Sequence, residues 1–442
     1  RFSRRTAMGA IISLVIVAGG LIGWNIYLQQ SKKVEPASVE KMAFPLPDKP
    51  SIAVLPFENL SGDPKQDYFS DGLTDQISST LSRFRSLFVI SSSSTSTYKG
   101  KSVKIQKVAE NLGARYVLEG SVQRSADRIR IAAQLIDATT GHHIWSQRYD
   151  REQKEIFAIQ DDITLEITKA LQVEIMSGEQ ARIWAKNSTK NLEAWEKWLQ
   201  GDEYLFRFTK EDNATARRLF EEVIVLDPEY AFAYVMLGWT YYIEARYGWV
   251  DSRAESFKIA GKYAQKGMEL ADTLDNAYLL MGSVYFFQGQ HEKAIAEVER
   301  AIALNPNGAN NYVIMANIVG ALGRWDESVE LAKKSIRLRP GAPGFYYQIL
   351  GRAYFMTRQY DEAIATLKKI LDNNPNYLSA HALLAACYSS LDRHSEAAAA
   401  ADEVRRINPK FNLESYAKTL PYKNKADIDR YVAALRNAGL PD

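Results

Sequence analysis

Hydrophobic and polar positions change their rhythm three times along the chain. Residues 7–28 form an uncharged run of 22 residues. At 1.5 Å per residue a helix of that length spans about 33 Å, enough to cross the ~30 Å hydrocarbon core of a bilayer. Residues 29–50 are polar and broken by Pro36, Pro45, Pro47 and Pro50, which predicts a semi-stiff linker. Over 51–175 short apolar runs predict an α/β domain. Its expected elements are a buried strand at 52–57, a helix at 71–83 capped by Ser70 or Asp71, a strand at 87–90 and a helix at 104–112 ended by Gly113. Three further strands are expected at 115–123, 128–136 and 142–149. In the middle one Ile129, Ile131, Ala133 and Leu135 alternate with Arg128, Arg130 and Gln134, the pattern of a half-buried antiparallel sheet.

From 193 to 409 the apolar spacing becomes helical and the whole pattern recurs. Pro306, Pro340, Pro375 and Pro409 lie 34, 35 and 34 residues apart, each after a Leu- or Ile-rich helix that proline cannot continue. Gly282, Ala316, Gly351 and Ala385 stand 24 residues before them, and Ala294, Ser328, Ala363 and Ala397 stand 12 before. Small side chains at both points let the two helices of a hairpin approach closely. Two altered copies precede these. One carries Gly201, Tyr204, Ala216, Phe220 and Pro228; the other carries Gly238, Tyr241 and Ala260, has Asp272 in place of proline, and holds an insertion around 246–256. Six repeats and a terminal cap at 410–442 result.

This pattern resembles the tetratricopeptide repeat (TPR), which implies an all-α superhelix. The segments Ile52-Ala-Val-Leu-Pro-Phe-Glu-Asn59, Phe69-Ser-Asp-Gly-Leu-Thr-Asp75, Ala114-Arg-Tyr-Val-Leu-Glu-Gly-Ser-Val122 and Leu135-Ile-Asp-Ala-Thr-Thr-Gly141, with Trp145, resemble a TolB-type amino-terminal domain. Taken together the chain is similar to the carboxy-terminal region of bacterial class III adenylate/guanylate cyclases. A second group with the same region carries an OmpR-type winged helix instead. The resemblance implies a membrane-anchored sensory region regulating an upstream output domain; a free-standing envelope scaffold is the alternative.

Charge adds little and topology somewhat more. The net charge is +2, which gives no electrostatic reason to expect nucleic acid. Arginines clustered before the apolar run favour an amino terminus in the cytoplasm and a body in the periplasm of a bacterial inner-membrane protein. Gly19 and Gly23 form a G-x-x-x-G that would let two spans touch in a homodimer. The chain opens on Arg1, from which an upstream segment is expected. Cys387 is the single cysteine, so an intrachain disulfide and a cysteine metal site are excluded.

No set of side chains suggests catalysis. His142 and His143 are neighbours on a strand and point to opposite faces, so they cannot chelate one ion. The run 91–97 with Lys99, Lys101, Lys104 and Lys107 reads as a solvated loop, and Asp71 with Asp75 as a helix start. Neither a cofactor nor a metal is expected, and whether the parent protein is an enzyme stays open. What the repeats do offer is a concave surface lined by their first helices. The resemblance places in that groove, for a protein or peptide partner, Trp239, Tyr242, Asn276, Ser283, Phe286, Asn310, Asn317, Arg352 and Phe355.

Overall fold

The computed structural model describes residues 34–125, 127–171, 189–205, 207–420 and 422–442. The apolar run 7–28, with Gly19 and Gly23, lies outside them. Among the described residues no helix is long and apolar enough to cross a membrane.

The first domain is built on one mixed sheet. Its strands are β1 (Ser51–Val54), β2 (Glu58–Asn59), β3 (Phe88–Val89), β4 (Tyr116–Ser125), β5 (Arg128–Asp137) and β6 (His142–Glu152), in the order β3-β1-β4-β5-β6, with β2 paired to β4 beyond the end of β1. Pairings β3-β1 and β1-β4 are parallel, while β4-β5 and β5-β6 are antiparallel. Helices α1 (Asp67–Ser82) and α4 (Ile156–Ala170) cover one face, where Leu73, Ile77, Ile159 and Ile163 bury against Ile52, Ile131 and Leu135. Helix α3 (Ile105–Leu112) covers part of the other, with Ile105 and Ala109 on Val117 and Ile136. Gly113 ends α3 in the left-handed region at φ 61°, as its position predicts.

Three local expectations change. Helix α1 starts at Asp67, after a single tight turn at Pro64–Gln66 whose leading Asp63 accepts from the Lys65 amide. Ser70 is therefore buried inside the helix, and neither Ser70 nor Asp71 is its cap. Residues 91–97 are not a loop: Ser92–Thr95 forms a short helix, α2, followed by a tight turn, and Ser94 and Thr95 are buried. The second half of the proline-rich segment does not stand free. Amides of Val34, Ala37 and Ala43 donate to carbonyls of Gly141, Ala138 and Glu110 at 3.2, 2.7 and 2.8 Å, strapping it along the domain.

The second domain is six helical hairpins. They are α5 (Leu192–Leu205) with α6 (Lys210–Leu226), α7 (Ala231–Tyr247) with α8 (Arg253–Leu270), α9 (Asp275–Phe287) with α10 (His291–Leu304), α11 (Ala309–Ala321) with α12 (Trp325–Leu338), α13 (Gly344–Met356) with α14 (Tyr360–Leu371), and α15 (Leu378–Ser390) with α16 (His394–Ile407). Helices α10, α12, α14 and α16 all stop two to four residues before the recurring prolines. The small positions Ala294, Ser328, Ala363 and Ala397 are all buried at hairpin contacts. Cys387 is buried in α15, and that burial pushes its thiol well above the ordinary range.

The two domains are joined over a wide surface. Gly72 of α1 meets Leu199 of α5 so closely that an added Cβ would lie 2.3 Å from a Leu199 methyl. Trp195 stacks edge-on against Phe69 at 5.1 Å, and Arg124 pairs with Glu196 at 2.7 Å. Further along, the loop after α10 and the last turn of α12 grip the sheet domain. The Asn307 amide donates to the carbonyls of Ser82, Phe84 and Leu87 at 2.9, 3.2 and 3.2 Å. Arg337 donates to Leu112, Gly113 and Pro45 carbonyls and lies over the rings of Phe44 and Phe88. Burial lowers its pKa to about 10.

Candidate partner-binding groove

The first helices of the hairpins present one row of side chains, because each repeat places the same helical position beside the last. Polar members of that row are tied to one another across repeats. Trp239 Nε1 on α7 donates to Asn276 Oδ1 on α9 at 3.3 Å. The Tyr346 hydroxyl on α13 donates to Asn310 on α11, and Arg352 Nη2 on α13 donates to Asn317 on α11. The Tyr377 hydroxyl continues the ladder to Gln348 Oε1 at 2.9 Å. Asn310 is exposed, and Trp239, Asn276, Asn317 and Arg352 are half-buried. Each amide retains hydrogen-bonding capacity beyond its neighbour in the ladder, since an Asn side chain has two donors and two acceptor lone pairs.

Four expected groove residues are structural instead. Tyr242, Ser283, Phe286 and Phe355 are all buried. The Ser283 hydroxyl is spent on the Leu279 carbonyl of its own helix at 2.8 Å. Tyr242 sits among Trp239, Phe257 and Phe287, and Phe286 packs on His291. The reason is geometric: at these positions rings and short hydroxyls are consumed inside their own hairpins or against the element packed next to them.

Phe355 is covered by the chain itself. After α16 the chain makes a short helix α17 (Leu413–Ala417) and then α18 (Lys425–Asn437). Tyr431 of α18 packs on Phe355 at 5.4 Å, and Arg430 donates to the Met356 carbonyl at 2.7 Å. The connecting stretch runs back to the fourth repeat, where Tyr422 packs edge-on against Trp325, the Lys423 amide donates to the Ala321 carbonyl, and Asp427 accepts from Trp325 Nε1 at 2.9 Å. Arg352 lies over the Tyr422 ring, with its Nε buried and unpartnered among the described residues. The terminal segment is thus more than an end cap: it covers Phe355 in the fifth repeat and reaches Ala321 and Trp325 at the turn of the fourth. The open part runs from Trp239 through Asn276 to Asn310 and Asn317.

One row of exposed aromatics was missed in the sequence. Phe208, Tyr247 and Phe287 are 48, 53 and 40% exposed at the turns within the first three hairpins. Tyr247 stacks on Trp249 of the inserted stretch at 5.2 Å. Three successive turns ending in aromatics were the available signal, hidden by the insertion that shifts the second repeat out of register.

Acidic groups gather at the crossing of α1 and α5. Asp202 is pushed up to about 8, chiefly by burial, with the Asp75 charge adding to it. Asp75, whose charge acts on Asp202, keeps an exposed side chain. Asp71 is paired with Lys99 at 2.6 Å. The pair Asp71 and Asp75 therefore belongs to packing between α1, α2 and α5. His142 and His143 are exposed, and no metal-binding cluster occurs among the described residues.

Family comparisons agree with the helical half and redirect the sheet half. Models of the tetratricopeptide repeat match residues 275–307 and 355–420. The second domain is built of TPR hairpins. Residues 48–166 match the model of the HilA/YgeH-like transcriptional regulator, second domain, where the sequence suggested a TolB-type domain. A stretch of 192 residues is 47% identical to "Putative adenylate cyclase 3" of Rhizobium meliloti (strain 1021), covering 43% of this chain and 32% of that protein. The match thus spans about a third of the relative's length. Among solved structures the chain is similar to YrrB, a TPR protein with an unusual peptide-binding site, at 17% identity and TM-score 0.35 over 46% of this chain and 98% of that one. It is also similar to the APC/C hetero-tetramer Cut9-Hcn1, at 17% identity and TM-score 0.45 over 64% and 52% of the two chains.

Proposed function

We propose that this chain is the membrane-anchored sensory region of a bacterial signalling protein, taking a protein or peptide partner in its TPR groove and regulating an adenylate or guanylate cyclase domain. The observation that carries the partner-binding part is the row of solvent-accessible Asn276 on α9 and Asn310 and Asn317 on α11, two successive first helices. Amides in such a row suit the backbone of an extended peptide, which alternates donors and acceptors. The cyclase part rests on the 47% identity to an adenylate cyclase relative. In this reading residues 7–28 anchor the protein in the inner membrane, with Gly19 and Gly23 available for span pairing, the amino terminus cytoplasmic and the body periplasmic.

A second reading is favoured by the match of 48–166 to a regulator domain. In it the output is a DNA-binding winged helix, and the chain is the sensory part of a transcription factor. The coding sequence preceding the Arg1 codon separates the two, since one requires a cyclase domain there and the other a winged helix.

The groove is tested by the triple substitution Asn276→Ala, Asn310→Ala and Asn317→Ala in the full protein. Partners captured by in-cell crosslinking should be lost while the circular dichroism spectrum is kept. Unchanged capture would refute the assignment. An alkaline phosphatase fusion after Asp442 should be active, and an inactive, stably expressed fusion would reverse the orientation.

A further inference from the structure

The inner helices of the repeats carry little charge, and the part left unpaired has one sign. Helices α7, α9, α11, α13 and α15 together hold two carboxylates, Glu244 and Asp275. Both are buried and already engaged: Glu244 pairs with Arg217 at 2.6 Å, and Asp275 accepts from Asn305 Nδ2 at 2.9 Å and lies 3.8 Å from Arg83. The same five helices hold two arginines, Arg246 and Arg352. Neither forms an ion pair among the described residues. Their one histidine, His381, is buried against the Pro375 carbonyl. The first helix of the first repeat, α5, is taken up by the sheet domain through Trp195 and Leu199. A concave surface whose free charges are all positive attracts an anion.

The fold brings the two arginines to one place. Residues three, four and seven apart share a helix face, so Arg246 continues the stripe of Trp239 and Tyr242 on α7. It lies one turn beyond the stripe of the other repeats, because α7 has 17 residues where α9, α11, α13 and α15 have 13 each. The insertion in the second repeat thus adds a guanidinium to the inner face. Arg246 is exposed and sits beside the Tyr242 hydroxyl. Arg352 borders the part covered by the terminal segment; its Nη2 donates to Asn317, and its Nε has no acceptor among the described residues. The Tyr377 hydroxyl donates to Gln348 Oε1 at 2.9 Å, and the charges of both arginines act on it, one from the second repeat and one from the fifth. Nearby carboxylates do not neutralise them. In the terminal segment Asp427 accepts from Trp325 Nε1 and Glu414 pairs with Lys418, while the exposed Asp251 and Asp429 form no ion pair with either arginine.

We propose that the groove selects an acidic partner segment, with Arg246 and Arg352 holding side-chain carboxylates of an extended peptide whose backbone follows Asn276, Asn310 and Asn317. This rests on the groove reading above and adds to it a charge preference and a residue, Arg246, outside the expected set. A guanidinium takes a carboxylate through two parallel N–H donors, which makes the contact selective as well as attractive. A phosphate on a side chain would meet the same donors, so the test separates the two sources of negative charge.

The test is fluorescence anisotropy on the full chain in non-ionic detergent, with pools of fluorescein-labelled peptides long enough to span the asparagine row and capped at both ends so that only side chains carry charge. One pool has Glu at alternate positions, a second has Gln there, and a third has phosphoserine. The Glu pool should bind about tenfold more tightly than the Gln pool, and Arg246→Gln should remove about tenfold of its affinity while leaving the Gln pool unchanged. Arg352→Gln should act in the same direction. Because Arg352 also touches Tyr422, the exposed Arg246 supplies the deciding variant. Equal affinity for the Glu and Gln pools, a Glu advantage that Arg246→Gln leaves intact, or binding confined to the phosphoserine pool overturns the inference. The groove reading is judged separately. Loss of Gln-pool binding in the protein with Asn276→Ala, Asn310→Ala and Asn317→Ala keeps that reading even where the charge preference is absent, and binding by no pool overturns both.

Discussion

Single side chains decide how the two domains meet. Asn307 follows one of the recurring prolines and looks in sequence like an ordinary loop residue, yet its amide satisfies three carbonyls at the end of α1 and the start of β3 and accepts from the Val89 amide. Truncating it removes those bonds, and although the Phe84 carbonyl still accepts from the Leu87 amide, a buried group left unpaired costs roughly 1–3 kcal/mol. Asn307→Ala should lower unfolding free energy by about 2 kcal/mol in urea titration; a change within error would mean water replaces the amide. Arg337 plays a similar part with its guanidinium on carbonyls instead of a carboxylate, which is why burial lowers its pKa without an opposing charge. Both residues were illegible in the sequence because a polar residue in a loop (Asn307) or in the last turn of a helix (Arg337) has no period to betray its partner, which here is more than 200 positions away.

At the scale of elements, packing between helices explains what the sequence got right and wrong. The strands β4 to β6 and the helix α3 fall close to their expected bounds because alternation and a glycine stop are local signals. Helix α4 was overlooked although Ile156, Ile159, Ile163 and Ile167 recur at helical spacing and bury fully against the sheet. The start of α1 was misplaced because a proline turn carried the chain into the helix one turn before the Ser-Asp pair that looks like a cap. The crossing of α1 on α5 brings Asp75 near Asp202, and burial with the Asp75 charge raises Asp202 above the usual carboxylate range. A carboxyl raised in the folded state binds its proton more tightly there than in the unfolded chain. Its stabilising effect is present below about pH 4 and is lost as pH rises through about 8 for Asp202. Thermal unfolding of the wild type should therefore fall between pH 5 and pH 8.5, conditions chosen on either side of Asp202, and Asp202→Asn should flatten that fall. Parallel slopes for the two proteins would show that the crossing does not titrate.

For the whole molecule, the terminal segment is the feature that changes the function one would infer. It lies over Phe355, borders Arg352 and reaches Trp325, leaving the row from Trp239 to Asn317 as the accessible groove. Tyr431 is the fully buried anchor of that closure. Tyr431→Ala should cost about 3–5 kcal/mol locally, the usual loss for a large buried ring. Hydrogen exchange should then rise in α18 and at the end of α13 while the sheet domain keeps its protection. Uniform loss of protection would mean that the closure is part of the global core.

Much of this architecture was carried by the sequence alone. A period of 34 residues with prolines and small residues at set offsets requires stacked hairpins, since one hairpin cannot bury its own apolar face, and strand alternation requires a sheet with one covered side. The groove was legible only in part. Asn276, Asn310 and Asn317 do reach solvent, whereas Tyr242, Ser283, Phe286 and Phe355 do not, because period places a residue on a helix face but not at a depth. Only the tertiary structure decided that the loop after α10 and the last turn of α12 clasp the sheet domain, that the final helix folds back over the fifth repeat, and that arginines of the second and fifth repeats face the same hydroxyl. Those outcomes depend on groups far apart in the chain meeting in space, and repeat spacing, however regular, holds no information about such meetings.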